Sequence, residues 1–391
     1  MRTWLKNSVL FLVTFTAISC GKLNLISLVS GALENNDASP LYFFATDFSS
    51  SGQLYQSNVL DSVISAENAG ITNLGSSAIL RDFDGLLYLL HDGYSTGSSD
   101  NVQIIDPDES FATLGQFSTG NGTNPHDVVV KDNAAYISLY NPSATNAGDV
   151  IKMDLDSGSI LQNYSFTSFL ENDGDQNANA DQMILVDDEL YVCVQDLQST
   201  SFDANSSGLI GMIDVKHDSV DGVITLTGRN PVDVVVSHDQ DRLFVADMAQ
   251  YDEDLADFDL TTPYGGIEVV DLDTAETVLL IDDATLGGYV ERLSVSDDKV
   301  FAVVSQFDSA AFTYLSKVME FPQDISSTTE VTTVLDFAFD IRDIFVQNDF
   351  LWVSKRVVNS STGITEPKLG VYSVSTGESL GDDVALDVAA S

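Results

Sequence analysis

Cysteine is nearly absent from this 391-residue chain: two residues, Cys20 and Cys193. If Cys20 carries another bond, no internal disulfide can form, and the fold must be held by its apolar core. Basic residues are also scarce, 16 Lys and Arg against 60 Asp and Glu, for a formal charge of −44. Such a field repels nucleic acid and anionic lipid surfaces and attracts cations. It also suits a solvated surface in salty water, where screening reduces self-repulsion. No stretch sustains the 3.6-residue apolar period of an amphipathic helix. Walker loops, paired CxxC and His-Glu-x-x-His are missing, so nucleotide, thiol-redox and zincin chemistry have no local signature. A hydrophobic content of 44 % nevertheless argues against disorder.

The first twenty residues have export-signal chemistry. Arg2 and Lys6 precede SVLFLVTFTA, an apolar run too short to span the hydrocarbon core of a bilayer permanently. Ala17-Ile18-Ser19-Cys20 resembles the lipobox of bacterial lipoproteins, in which the cysteine becomes the acylated first residue. The resemblance implies lipidation at Cys20, removal of residues 1–19, and a membrane-anchored protein of the cell envelope. Gly21 rather than Asp follows the cysteine, which favours the outer membrane; the leaflet is left open. Cleavage would leave about 370 residues with 14 basic against 60 acidic side chains, a charge of −46. Residues 20–40 read as a tether and 41–391 as one domain, expected to be monomeric.

Within that domain the chain repeats itself. NPHDVVVKDNAAYISLYN from Asn124 is followed by NPVDVVVSHDQDRLFVAD from Asn230. The apolar-aromatic half recurs around Tyr42, Tyr88, Tyr136, Tyr191, Phe244, Phe301 and Trp352, at separations of 46, 48, 55, 53, 57 and 51 residues. Six copies have a short apolar partner upstream across an Asp- or Asn-bearing turn, the pattern of a tight hairpin. A third strand follows each copy, in most closed by an Asp such as Asp106, Asp154, Asp214 or Asp271, and then a more variable fourth. A four-stranded sheet cannot bury two apolar faces alone, but a ring of them can. The fold class is therefore all-β, a β-propeller of seven four-stranded blades, with six as the alternative.

The pattern Pro-x-Asp-Val-x-Val, Asp turn, Leu-(Tyr/Phe)-Val, then Val-Asp-(Leu/Thr)-Asp resembles the YVTN-type propeller repeat. Pro231 to Asp247 and Gly265 to Asp273 match best, and Pro125 to Asn141 follows. That family resemblance implies fold more than function: similar proteins include exported lipoproteins and propeller lactonases. The first unit lacks an obvious inner strand before Leu41, and the C-terminal VALDVAA is the expected donor.

Candidate sites are few. Asp173, Asp175, Asn177, Asn179 and Asp181 occupy alternate positions before a strand, an oxygen-ligand spacing that suits Ca²⁺. The spacing resembles calcium loops of integrin-like propellers, with Ala178 where those use Gly; the competing reading is a polar loop in an Asp-rich protein. A second acidic loop, 247–266, carries Asp252, Glu253, Asp254, Asp257 and Asp259 among Tyr251, Phe258 and Tyr264, and reads chiefly as solvated. His126 opens an inner strand and is the candidate metal ligand or base, the competing reading being a hydrogen-bonded histidine. Cys193, flanked by valines, reads as a buried apolar residue. The expected function is a lipid-anchored binding or scaffold module, meeting an envelope protein or small ligand at the propeller mouths. The alternative is a metal-dependent hydrolase resembling propeller lactonases.

Overall fold

A computed structural model describes residues 26–30 and 41–386, apart from 47–51, 61–62, 72–73, 75–77, 93–99, 141, 143–147, 172–176, 199–202, 205, 250, 253–256, 259–263, 309–312, 326–329, 348 and 359–364. The architecture is a seven-bladed β-propeller. Blade 1 is β1 (Ile26–Ser30), β2 (Leu41–Thr46), β3 (Gly52–Leu60) and β4 (Val63–Asn68); blade 2 is β5 (Ala78–Phe83), β6 (Leu86–His91), β7 (Asn101–Asp106) and β8 (Ala112–Ser118). Blade 3 is β9 (Pro125–Lys131), β10 (Ala134–Leu139), β11 (Val150–Asp154) and β12 (Ile160–Tyr164). Blade 4 is β13 (Ala180–Val186), β14 (Glu189–Val194), β15 (Leu209–Asp214) and β16 (Ser219–Thr225). In blade 5, β17 (Pro231–Val236), β18 (Arg242–Met248), β21 (Gly265–Asp271) and β22 (Thr277–Asp282) form the sheet, while β19 (Tyr251–Asp252) and β20 (Asp257–Phe258) pair within a loop. A single-turn helix, α1 (Asp283–Leu286), leads to blade 6: β23 (Tyr289–Val295), β24 (Lys299–Asp308), β25 (Thr313–Pro322) and the first half of β26 (Thr332–Gln347). The second half of β26 is the inner strand of blade 7, followed by β27 (Phe350–Val358), β28 (Thr365–Ser373) and β29 (Val384–Ala385).

The ring has the seven blades expected from the sequence, but it closes differently. The inner strand of blade 1 is β1, inside the stretch read as tether, and it pairs with β2 from Ile26↔Ala45 to Ser30↔Leu41. The C-terminal segment instead supplies the outer strand of blade 7, through Lys368↔Ala385 and Leu369↔Val384. Five residues, ISLVS, without the Asn-Pro-x-Asp lead-in, give too short a signal to stand out among polar neighbours. Inner strands β1, β5, β9, β13, β17, β23 and β26 each pack against the next, and β26 returns to β1.

Each seam between blades has its own apolar cluster, which is why no blade folds its faces away alone. Leu41 and Phe43 meet Trp352 and Val371 where blade 1 meets blade 7. Val129 and Tyr136 of blade 3 pack on Met183 and Leu190 of blade 4. The seven repeated aromatics are all buried in second strands. Cys193 is likewise buried in β14, and desolvation pushes its thiol well up, away from thiolate reactivity.

The recurring aspartates at the ends of third strands have one local task. Asp106, Asp154, Asp214 and Asp271 each turn a carboxylate oxygen onto backbone N–H groups two to three residues ahead, at 2.8–3.3 Å. These Asx turns fold the third strand back into the fourth. The hydrogen bonds hold Asp154, Asp214 and Asp271 below the usual carboxylate range.

Candidate functional site at the channel mouth

In an antiparallel blade the inner strand begins, and the second strand ends, at the same end of the ring. The repeated Asn-Pro-x-Asp lies at that end. Asn124 and Asn230 take left-handed backbone angles, φ 49° and 57°, which asparagine tolerates better than most residues. Each carbonyl then accepts an N–H from the end of the second strand: Tyr140 at 2.9 Å and Met248 at 3.0 Å. Proline follows as first residue of the strand, where no ladder N–H is required of it.

The next residues form a bulge. Pairing skips His126 between Pro125 and Asp127, Val232 between Pro231 and Asp233, Glu291 between Val290 and Arg292, and Arg342 between Ile341 and Asp343; in β13 it skips Asp181 and Gln182. A bulge re-aims the side chains beside it. Here Gln182, Asp233, Arg292 and Asp343 join Arg81 around a central cavity of about 670 Å³, whose remaining wall is mostly Val, Ile, Leu and Phe. Asp127 stands behind Arg81, 2.8 Å from its Nε.

The carboxylates also stitch blades together. Asp127 accepts from the N–H of Val128 and, across the seam, of Met183, both at 2.9 Å. Asp233 does the same for Val234 at 2.9 Å and Leu293 at 2.8 Å. Asp343 accepts from Ile344 at 3.0 Å, and Ser294 from Val346 at 2.9 Å. This explains why the chain repeats the motif: its Asp joins one inner strand to the next. Burial raises the Asp233 carboxyl to about 6, against the pull of Arg292 and the Leu293 N–H.

His126 is buried, stacks on Tyr140 at 4.3 Å and 10° between planes, and places Nδ1 3.4 Å from Asp181 Oδ1. Asp181 also accepts from Gln195 Nε2 at 2.9 Å. The other histidines stand apart: His91 is buried on Gln103 and lowered by desolvation, His217 caps Asp214, and His238 lies in a turn held by Gln323. Asn179 occupies the place of Asn124 and Asn230 in a third copy of the motif, Asn179-Ala180-Asp181-Gln182, which sequence reading passed over. Its φ is 49°, and its Oδ1 accepts the Leu197 N–H at 3.1 Å. Asn177 lies just ahead of it, while Asp173, Asp175 and Cys20 lie outside the described residues. Among the described residues no three His, Cys, Asp or Glu side chains converge as a metal site.

Residues 249–264 connect β18 to β21, with Tyr251↔Phe258 paired between them; Glu253, Asp254 and Asp259 lie outside the described residues. At the end of this connection Arg229 lies 3.6 Å over the ring of Tyr264. Beneath, Asp247 and Glu268 are both fully buried. Glu268 accepts the N–H groups of Thr227 and Gly228 at 2.8 Å each. Burial, then the charge of Glu268, pushes the Asp247 carboxyl well above the usual carboxylate range.

Sequence reading missed Arg81, Gln182, Arg292 and Asp343 as a set, because a bulge leaves no compositional mark. It also took Gly-x-Ser-x-Gly to be missing, although Gly93-Tyr94-Ser95-Thr96-Gly97 spells it. That pentapeptide joins two antiparallel strands, β6 and β7, whereas a nucleophile elbow needs a strand-to-helix turn.

No family model matches the chain, and no curated protein matches it. Solved structures do. Saccharomyces cerevisiae Sqt1 is similar at a TM-score of 0.51 and 11 % identity over 91 % of this chain and 84 % of that one. Kuenenia stuttgartiensis hydrazine synthase is similar at 0.48 and 10 % identity over 73 % of each chain. At such identities the likeness concerns the fold alone: the class is a seven-bladed propeller.

Proposed function

We propose that this protein is a lipid-anchored propeller of the bacterial cell envelope that binds a ligand or envelope partner at the mouth of its channel. The carrying observation is the mixed-charge set Arg81, Gln182, Asp233, Arg292 and Asp343 around an apolar-walled cavity of about 670 Å³. Few convergent polar groups over an apolar wall are what a binding site requires. Ala17-Ile18-Ser19-Cys20 supports the anchor, and the YVTN-type repeat pattern fits exported proteins of this kind. Gly21 favours the outer membrane. A hydrolytic reading would place His126 and Asp181 as base and orienting acid; among the described residues no three His, Cys, Asp or Glu side chains are grouped to hold a metal for it.

Two measurements test this reading. Metabolic labelling with a fatty-acid precursor should mark the wild type and not Cys20→Ala; equal labelling removes the anchor. Native mass spectrometry of protein purified from membranes should show a bound species that Asp343→Asn loses and the opposite-end variant Asp154→Asn keeps. Its absence from wild type, or its equal loss from both variants, removes the mouth as the binding site.

A further inference from the structure

The mouth offers opposite charges on opposite sides of one void. Arg81 comes from blade 2 and Asp233 from blade 5, three steps round a ring of seven, so they face each other across the channel. Each feels the other's charge across that space.

Their remaining capacities differ from those of their neighbours. Asp127 accepts from Arg81 and two backbone N–H groups, so its charge is already paired. Arg81 uses Nε on Asp127, Nη1 on the Leu80 carbonyl at 3.2 Å and Nη2 on Gln182. A guanidinium has five N–H donors, so two are left, on a side chain 27 % exposed. Asp233 accepts two backbone N–H groups, one on each oxygen, and has no cation within ion-pair distance among the described residues. A carboxylate has room for about four such bonds, and Arg292 acts on this one from beyond ion-pair distance, leaving oxygen lone pairs open towards the cavity. The missing element at Asp233 is a cationic donor; at Arg81 it is an acceptor.

Resting on the reading of the mouth as a binding site, we infer that its ligand is a small zwitterion, with an ammonium on Asp233 and a carboxylate reaching Arg81 from across the channel. The apolar wall favours aliphatic side chains between the two charged ends. A free dipeptide with an aliphatic side chain has this chemistry.

The probe is L-alanyl-L-leucine, titrated calorimetrically into the full chain beside its N-acetyl and C-amide forms, glucose and calcium chloride. Saturable binding of the dipeptide is expected, weakened about tenfold or more by either block and by Asp233→Asn or Arg81→Gln, each loss corresponding to about 1.4 kcal/mol. A cooperative melt certifies the variants; should one fail to fold, the blocked peptides still decide. Blocked forms binding as tightly as the parent, or no dipeptide binding at all, overturn the zwitterion. If glucose or a blocked form binds and Arg81→Gln abolishes it, the mouth stands and only the ligand class falls. Calcium binding that Asp233→Asn removes and the dipeptide does not displace also overturns it. The mass-spectrometric comparison above, being independent of these probes, decides whether the mouth reading falls as well.

Discussion

The two ends of the ring use the same residue for opposite purposes. At the end where third strands turn into fourth, Asp154, Asp214 and Asp271 are only half-buried, bond their own turns and are held below the usual carboxylate range. At the mouth, Asp127 and Asp233 are buried, bond the neighbouring blade, and Asp233 is raised to about 6. A count of acidic side chains cannot distinguish the two; what separates them is whether the N–H groups they satisfy are local or belong to another sheet. The turn end is an assembly of independent local bonds, while at the mouth each carboxylate couples two blades.

The sharpest way to break this contrast is Asp127→Ala. It strands the Arg81 guanidinium and two backbone N–H groups, and should cost about 3–5 kcal/mol in denaturant unfolding. A loss near zero would mean that the stitch is ornamental. Glu268→Gln comes next: an amide nitrogen must then face one of the Thr227 and Gly228 N–H groups, at a cost of about 1–3 kcal/mol by the same measurement. Asp247→Asn, by contrast, removes a charge that burial disfavours, and should cost less than Glu268→Gln by the same measurement.

A third, smaller effect is the pH dependence of melting. Asp233 and Asp340 are raised by burial to about 6, so the folded protein keeps those protons where the unfolded chain, with an ordinary carboxylate near 3.9, releases them. Their contribution is fully present below about pH 4 and is lost as pH rises through about 6. The turn aspartates act in reverse, stabilising above the ordinary range and failing as pH falls through their lowered values. The melting temperature should therefore rise on acidification from neutrality towards about pH 5 and fall in stronger acid. Asp233→Asn should flatten the first limb and leave the second, as calorimetric scans would show. The smallest effect is Asp154→Ala, which removes one exposed turn and should move the melting temperature by a few degrees at most, since surface substitutions rarely do more.

How much of this was legible follows the same division. The blades were legible because each second strand carries an aromatic at about fifty-residue spacing and each third strand ends in an Asx turn, both local signals. The identity of the first inner strand was not, since β1 is defined by its pairing with β2 and its contact with β26, which sequence does not display. At the site, His126 was singled out correctly as opening an inner strand, but the residue after it, Asp127, has the larger role. Asn179 looked like one of five alternating oxygen donors; its place in a third motif copy became visible only when Leu197 N–H was seen on its side chain. Arg81 and Asp233 are 152 positions apart in the chain and meet only through ring geometry.

Strand β26 has a consequence of its own. Its sixteen residues run without a break from the rim of blade 6 to the axis of blade 7, making one seven-stranded sheet of two blades. Elsewhere a connector separates one sheet from the next, so a swelling or twisting motion can open a gap there by stretching loops. Between blades 6 and 7 the same motion would have to bend one unbroken strand, so this seam resists it more than the others. Widening of the mouth falls instead on the seams that connectors join, among them those of the blades that carry Arg81, Gln182 and Asp233.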